Sequence, residues 1–272
     1  MRNKRICFIG GGNMAGSLIG GLLMDGYPAD LISVAEPDPS QRDRLRSRFG
    51  VTLTSDNAEA AADADLVVLA VKPQRVAQAA AAIGPLSPAP LLLTVAAGIR
   101  INDLRGWLRS DGAIIRAMPN TPALLGAGVT AVYAGEDVSA AERELAEAVL
   151  RAVGAVVWVD DEALMDAVTA LSGSGPAYFF LLMEIMAATG IEMGLKPDTA
   201  RLLTQETALG AARMSLEADV DVAELRRRVT SPGGTTEAAM QSLHDSDFAA
   251  VVRKAIHAAQ QRSRQLADEA GG

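Results

Sequence analysis

Cysteine is nearly absent from this chain. Cys7 is the only one in 272 residues, so no intrachain disulfide can form, which fits a reducing compartment and a cytoplasmic protein. It lies in the apolar run Ile6, Phe8, Ile9 and reads as a small core hydrophobe rather than a reactive thiol. Histidine is scarce: His244 and His257 have no cysteine near them, no metal-ligand spacing appears, and no metal is expected. Positive charge is outnumbered, giving a net charge of -8; an acidic surface repels phosphate backbones, so nucleic acid is not an expected partner. The basic cluster Arg226-Arg227-Arg228 sits in a helical pattern and reads as a solvated face. Two stretches imitate membrane segments. The basic N-terminus precedes an apolar run, but Gly10-Gly11-Gly12-Asn13 cut that run short. Residues 76–99 carry no charge, yet Pro85, Pro88 and Pro90 break them into a helix, a turn and a buried strand, so no membrane association is expected.

What is present first is alternation. Apolar runs at 6–10, 31–35, 66–71, 91–95, 113–117, 130–133 and 155–159 read as strands. Several, such as Leu66-Val67-Val68-Leu69-Ala70-Val71, are continuous, as strands covered by helices on both faces are. Helical patterns at 14–25, 40–48 and 140–153 fall between them. This predicts an α/β Rossmann-type domain over 1–160. The strand signal then stops, and 162–171, 177–193, 197–217, 222–229, 236–243 and 248–267 read as helices, an all-α domain over 161–272. Pro176 and Pro197 suit first helical turns, Asp221 with Glu224 suits a capping start, and Gly194 suits a helix end. The 177–193 helix is apolar on nearly every face, with Glu184 and Glu192 its only charges. Such a helix is buried, either at the centre of one subunit or against a partner.

Five segments carry chemistry. Gly10-Gly11-Gly12-Asn13-Met14-Ala15 matches G-x-G-x-x-A between a strand and a helix. Gly10 permits the tight turn, Gly12 admits a pyrophosphate, and Ala15 lets strand and helix pack closely. Ile9, Gly10, Gly12, Asn13 and Met14 are therefore candidate cofactor contacts. Glu36, ending the next strand, stands where an acid accepts a ribose 2′-hydroxyl; a carboxylate there disfavours a 2′-phosphate. Ala70, Val71, Lys72 and Pro73, and then Ala96, Ala97 and Gly98, follow two strands at the sheet edge where ligands bind. Arg116-Ala117-Met118-Pro119-Asn120-Thr121-Pro122 is a rigid loop with Asn120 as a candidate cofactor contact. In the helical half, Ser172-Gly173-Ser174-Gly175-Pro176 and Ser231-Pro232-Gly233-Gly234-Thr235-Thr236-Glu237 each precede a helix and offer amides and hydroxyls to a small carboxylate, with Ser174 and Thr236 among them. The apolar helix carries no Lys or His to act as general acid on a carbonyl, which leans the chemistry toward C=N over C=O reduction.

Taken in order, these segments resemble pyrroline-5-carboxylate reductase from end to end, above all through Val229-Thr230-Ser231-Pro232-Gly233-Gly234-Thr235-Thr236. The resemblance implies reduction of 1-pyrroline-5-carboxylate to L-proline with hydride from NADPH or NADH. It implies a Rossmann domain, a helical domain through which homodimers interlock, and further assembly, commonly to decamers. The active site would lie between the cofactor domain of one subunit and helices of its partner. By matching position, Thr236 is the hydroxyl near the imine nitrogen, and Gly233, Gly234 and Thr235 hold the carboxylate. Glu162 matches an acidic position near the substrate. Ala70 to Pro73 and Ala96 to Gly98 meet the nicotinamide half, and Asn57 meets the adenosine half. Arg228 would approach the cofactor. Glu36 replaces the small hydroxyl residue that some relatives use for a 2′-phosphate. The same residues leave open a related reductase acting on another cyclic imine or a hydroxy acid, and a non-catalytic dinucleotide sensor.

Overall fold

The computed structural model describes residues 3–108 and 112–271. Period-two alternation builds its centre. β1 (Ile6–Ile9) is buried on both faces: Ile6 and Phe8 join one apolar cluster, Cys7 and Ile9 the other. After α1 (Asn13–Met24), β2 (Ile32–Ala35), α2 (Pro39–Phe49), β3 (Thr52–Thr54) and α3 (Asn57–Ala61) comes β4 (Leu66–Leu69), which divides the same way, Leu66 and Val68 against Val67 and Leu69. Then follow α4 (Val76–Ala81), β5 (Leu91–Thr94), α5 (Ile101–Leu108), β6 (Ile114–Met118), β7 (Gly128–Ala134), α6 (Ala140–Arg151) and β8 (Gly154–Trp158). Burial pushes the Cys7 thiol up to about 12, so it is inert core, as its sequence context predicts.

The described strands form one sheet in the order β3-β2-β1-β4-β5-β6-β7-β8. The chain runs outward from β1 to β3, then restarts on the other side of β1 with β4. This is the doubly wound, Rossmann-type arrangement, with its switch point between β1 and β4. One pairing departs from the parallel pattern: β7 runs antiparallel to β6, with Ile115 opposite Ala134 and Met118 opposite Ala131. The proline-rich link between them is too short for a crossover helix, so the chain can only turn back. Three short elements are absent from the sequence-based expectation: β3, α3 and α5.

The expectation at 162–171 is met by a helix of changing pitch. Glu162–Leu164 is a 3₁₀ turn, α7 (Met165–Val168) is regular, and Thr169–Gly173 is a π turn. The Ser174 amide donates to the Thr169 carbonyl at 2.8 Å. The Ser172–Pro176 stretch is therefore not the open helix start expected of it. A wide turn accommodates this stretch, and it consumes the Ser174 amide.

By packing, the chain divides into Met1–Ser174 with Ala259–Gly272, and Gly175–Ala258. This differs from the boundary expected between 160 and 161. Side-chain bonds explain the first unit's extent: the Ser263 hydroxyl donates to Asp166 at 2.7 Å, and Arg100 pairs with Asp268 at 2.6 Å. Gly98, at φ +73°, leaves room for the backbone of Leu266 and Ala267.

The second unit holds α8 (Gly175–Glu192), α9 (Pro197–Glu217), α10 (Val222–Arg228), α11 (Thr235–Asp245) and the start of α12 (Phe248–Gly271). Gly194 at φ +98° turns α8 into α9, and Pro197 opens α9, as their types predict. Asp221 caps α10 by accepting from the Glu224 amide at 2.8 Å. Glu224 pairs with both Arg227 and Arg228 on an exposed face, as a solvated basic cluster would. The Arg228 bond, the largest influence, holds the Glu224 carboxyl below the usual carboxylate range. The centre of one subunit is not where α8 lies: Phe179 and Phe180 are 64% and 62% exposed in the single chain, and of the helix's residues only Gly175 is buried.

Candidate active site

The turn after β1 and the turn after β4 meet at the switch point. There they bound a cleft of about 870 Å³, within the size range of small-molecule sites. Ile9, Gly10, Gly12, Glu36, Asn57, Ala70, Val71 and Lys72 line it together. Two glycines there have different reasons. Gly10 has φ +96°, and a Cβ on it would stand 2.7 Å from Val71 Cγ1 and 2.9 Å from the Ala70 carbonyl oxygen. Gly12 has nothing within 4 Å of that position, so its missing side chain leaves space on the cleft side rather than relieving the fold. It is also the N-cap of α1 and carries no side-chain cap. An open, uncapped helix start beside a flat glycine is a cradle for a pyrophosphate.

The β2 end of the cleft is held by side chains. Glu36 Oε2 accepts the Gly11 N–H at 2.9 Å, and Oε1 accepts the Asp38 N–H at 3.0 Å. Gln41 Nε2 donates to the Gly11 carbonyl at 2.6 Å. Asn57 Nδ2 donates to the Ala79 carbonyl at 3.1 Å, tying α3 to α4 across the cleft floor. Asp38, Ser55, Asp56, Arg75 and Gln78 also line the cleft and were missed by sequence reasoning. The signal for two of them was readable: Asp38 and Asp56 are N-caps, accepting from the Ser40 amide at 2.9 Å and the Glu59 amide at 3.0 Å.

Other expected residues lie elsewhere in the first unit. Asn13 and Met14 form the first turn of α1, and Pro73 opens a short 3₁₀ turn; none of the three lines the cleft. Ala96, Ala97 and Gly98 follow β5 as expected but also stay outside the lining, with Gly98 under α12. Asn120 acts as a brace: its Oδ1 accepts from the Val129 N–H at 3.0 Å, and its Nδ2 donates to the Ser172 carbonyl at 3.3 Å. Glu162 Oε1 accepts from the Ile101 N–H at 2.9 Å, at the start of α5, and from buried Arg116 at 3.2 Å. The Arg116–Pro122 segment is thereby stiffened at both ends.

In the second unit, Gly233 has φ +71° and turns the chain into α11. Two of the three amides expected to hold a carboxylate are engaged internally. The Gly233 N–H donates to Glu237 Oε2 at 2.7 Å, and the Gly234 N–H donates to the Ser231 carbonyl at 3.0 Å. Gly234 is the N-cap and has no side chain to cap with, so the amides of Thr235 and Thr236 keep the unpaired donors of a helix start. Thr236 is half-buried, and Thr235 is exposed.

Residues 162–266 match the pyrroline-5-carboxylate reductase dimerisation family, and residues 5–98 match the family described as NADP oxidoreductase coenzyme F420-dependent. Pyrroline-5-carboxylate reductase of Pseudomonas aeruginosa is 52% identical over 272 residues, covering 100% of both chains. The enzyme of Pasteurella multocida is 41% identical over 98% of each. Among solved structures, a pyrroline-5-carboxylate reductase from Coxiella burnetii superposes with a TM-score of 0.91 at 42% identity, covering 97% of this chain and 98% of that one. Pyrroline carboxylate reductase from Plasmodium falciparum, solved with NADP bound, gives 0.88 at 28% identity over 98% and 99%.

Proposed function

The chain belongs to the pyrroline-5-carboxylate reductase family, an NAD(P)H-dependent oxidoreductase of the last step of proline biosynthesis, and from that premise we propose how its own residues divide the work. Gly12 and the α1 start would hold the pyrophosphate of a dinucleotide in the switch-point cleft. The observation that carries this is Gly12, whose missing Cβ nothing in the protein itself requires. A nicotinamide held there would supply hydride for reduction of the imine carbon.

The remaining work belongs to the chain. The substrate carboxylate is taken by the amides of Thr235 and Thr236 and the positive end of α11. Gly233 and Gly234 build that turn rather than contact the ligand. The Thr236 hydroxyl, on the same turn, handles the proton at the imine nitrogen. Glu162 acts at one remove: its bonds to Ile101 and Arg116 stiffen the first unit. A protonated imine is already electrophilic, so positioning and one hydroxyl suffice.

Residues Glu162–Glu192 are long and apolar enough to cross a membrane by length and composition alone. We read its exposed part, α8, instead as dimer interface, because the family match over 162–266 is a dimerisation domain while Met165 and Ala170 earlier in the run are buried in the first unit. Dimers then assemble further, in a cytoplasmic enzyme. The test is turnover of pyrroline-5-carboxylate beside a panel of 2-hydroxy acids, with Thr236→Ala measured in parallel. The imine alone is reduced, and the variant loses about 100-fold in kcat with unchanged cofactor affinity. Turnover of the hydroxy acids alone sinks the substrate reading, and an unaffected kcat removes Thr236 from the chemistry.

A further inference from the structure

The β2 lip of the cleft carries two carboxylates where the sequence pattern singles out one. Glu36 is locked by the Gly11 and Asp38 amides, one on each oxygen, so its carboxylate is fixed in the cleft wall. Each oxygen retains a lone pair, so the group can still accept from a ligand hydroxyl. Asp38 stands in the same wall two residues on. The Ser40 hydroxyl and amide hold its carboxyl below the usual carboxylate range, so it is charged at neutral pH.

Of the cations near this lip, Arg44 acts on the Asp38 carboxyl through its charge without lining the cleft, and the others are committed or placed elsewhere. Arg42, four residues past Asp38, does not line the cleft; its Nη1 donates to the Glu36 and Pro37 carbonyls at 2.6 and 2.9 Å. Lys72 and Arg75 do line the cleft, but they come from the turn after β4 rather than from the β2 lip.

We propose that Glu36 and Asp38 act together as a cofactor filter, accepting a dinucleotide with a free adenosine 2′-hydroxyl and rejecting one with a 2′-phosphate, so that NADH is the working reductant. This rests on the reading of the switch-point cleft as the dinucleotide site. A 2′-hydroxyl donates to the fixed Glu36 carboxylate. A 2′-phosphate instead brings negative charge within a few ångströms of half-buried Glu36 and exposed Asp38, a repulsion of about tenfold in affinity.

The test is isothermal titration of the full chain with ADP-ribose and with 2′-phospho-ADP-ribose. Neither ligand requires imine turnover, so the outcome is independent of the substrate reading. ADP-ribose binds tighter by about tenfold or more. Asp38→Ser narrows that ratio, and Glu36→Ser with Asp38→Ser abolishes or inverts it. Glu36→Gln keeps the size and one amide acceptor while removing the charge, and it narrows the ratio should the serine variants fail to fold. A wild-type chain that binds the 2′-phosphate form equally or better overturns the filter, as does a ratio unmoved in every variant. Binding of neither compound overturns the cleft assignment and the filter with it.

Discussion

Gly10 and Gly12 are two residues apart and carry the same side chain, yet they answer to different demands. Alanine at position 10 meets Val71 and the Ala70 carbonyl and must hold φ +96°, a strained conformation for an L-residue. Gly10→Ala is therefore expected to lose about 1–3 kcal/mol of stability and dinucleotide binding with it. Alanine at position 12 meets nothing within 4 Å. Gly12→Ala should keep the melting temperature of the wild type while weakening ADP-ribose binding about tenfold, because its methyl occupies space meant for the pyrophosphate. Thermal unfolding and titration on both variants check this pair. Equal affinity in Gly12→Ala would mean that the open space above α1 is not the cofactor's. Both glycines were legible as a motif in the sequence. Which one serves the fold and which one serves the ligand was not, because that depends on Val71, more than fifty residues downstream.

At the level of elements, short range and long range part company. The N-caps Ser139, Asp38, Asp56 and Asp221 all bond amides within three residues of themselves, and such local pairs can be read along the chain. Glu162 could not be read that way. The family resemblance implies an acid near the substrate at this position, and in the structure it bonds the start of α5 and buried Arg116, residues 61 and 46 positions away. Removing it leaves the Arg116 guanidinium buried without its carboxylate. Glu162→Ala is expected to cost about 2 kcal/mol in denaturant unfolding, below the cost of breaking a fully buried pair because the Glu162 side chain is 25% exposed. A variant as stable as wild type that loses activity would instead return Glu162 to the substrate. β3, α3 and α5 were missed for a related reason: three to eight residues carry too few periods for a pattern to stand out.

The whole molecule poses its question through α8. Phe179, Phe180, Leu181, Leu182 and Ile185 are exposed on a helix with only two charges, a patch no isolated soluble subunit keeps uncovered. The match of this region to a dimerisation domain says what covers it: a second copy of the chain. Sedimentation of the wild type is expected to give a dimer or a larger species at micromolar concentration. Ile185→Glu should reduce the mass toward monomer, since a buried unpaired carboxylate costs more than the interface can supply at that point. A monomeric wild type would contradict the assignment.

The sequence by itself determined the α/β half, the helical half, the glycine turn and the family, because each rests on short-range periodicity or on contiguous motifs. Only the tertiary structure decided that α8 is bare in the single chain and that Gly233 and Gly234 spend their amides internally. It alone decided that Asp38 joins Glu36 on the cleft lip and that residues 161–174 and the end of α12 pack with the sheet. The physical reason is common to all four: burial and hydrogen-bond partnership are set by which atoms the fold brings together, and spacing along the chain does not encode them.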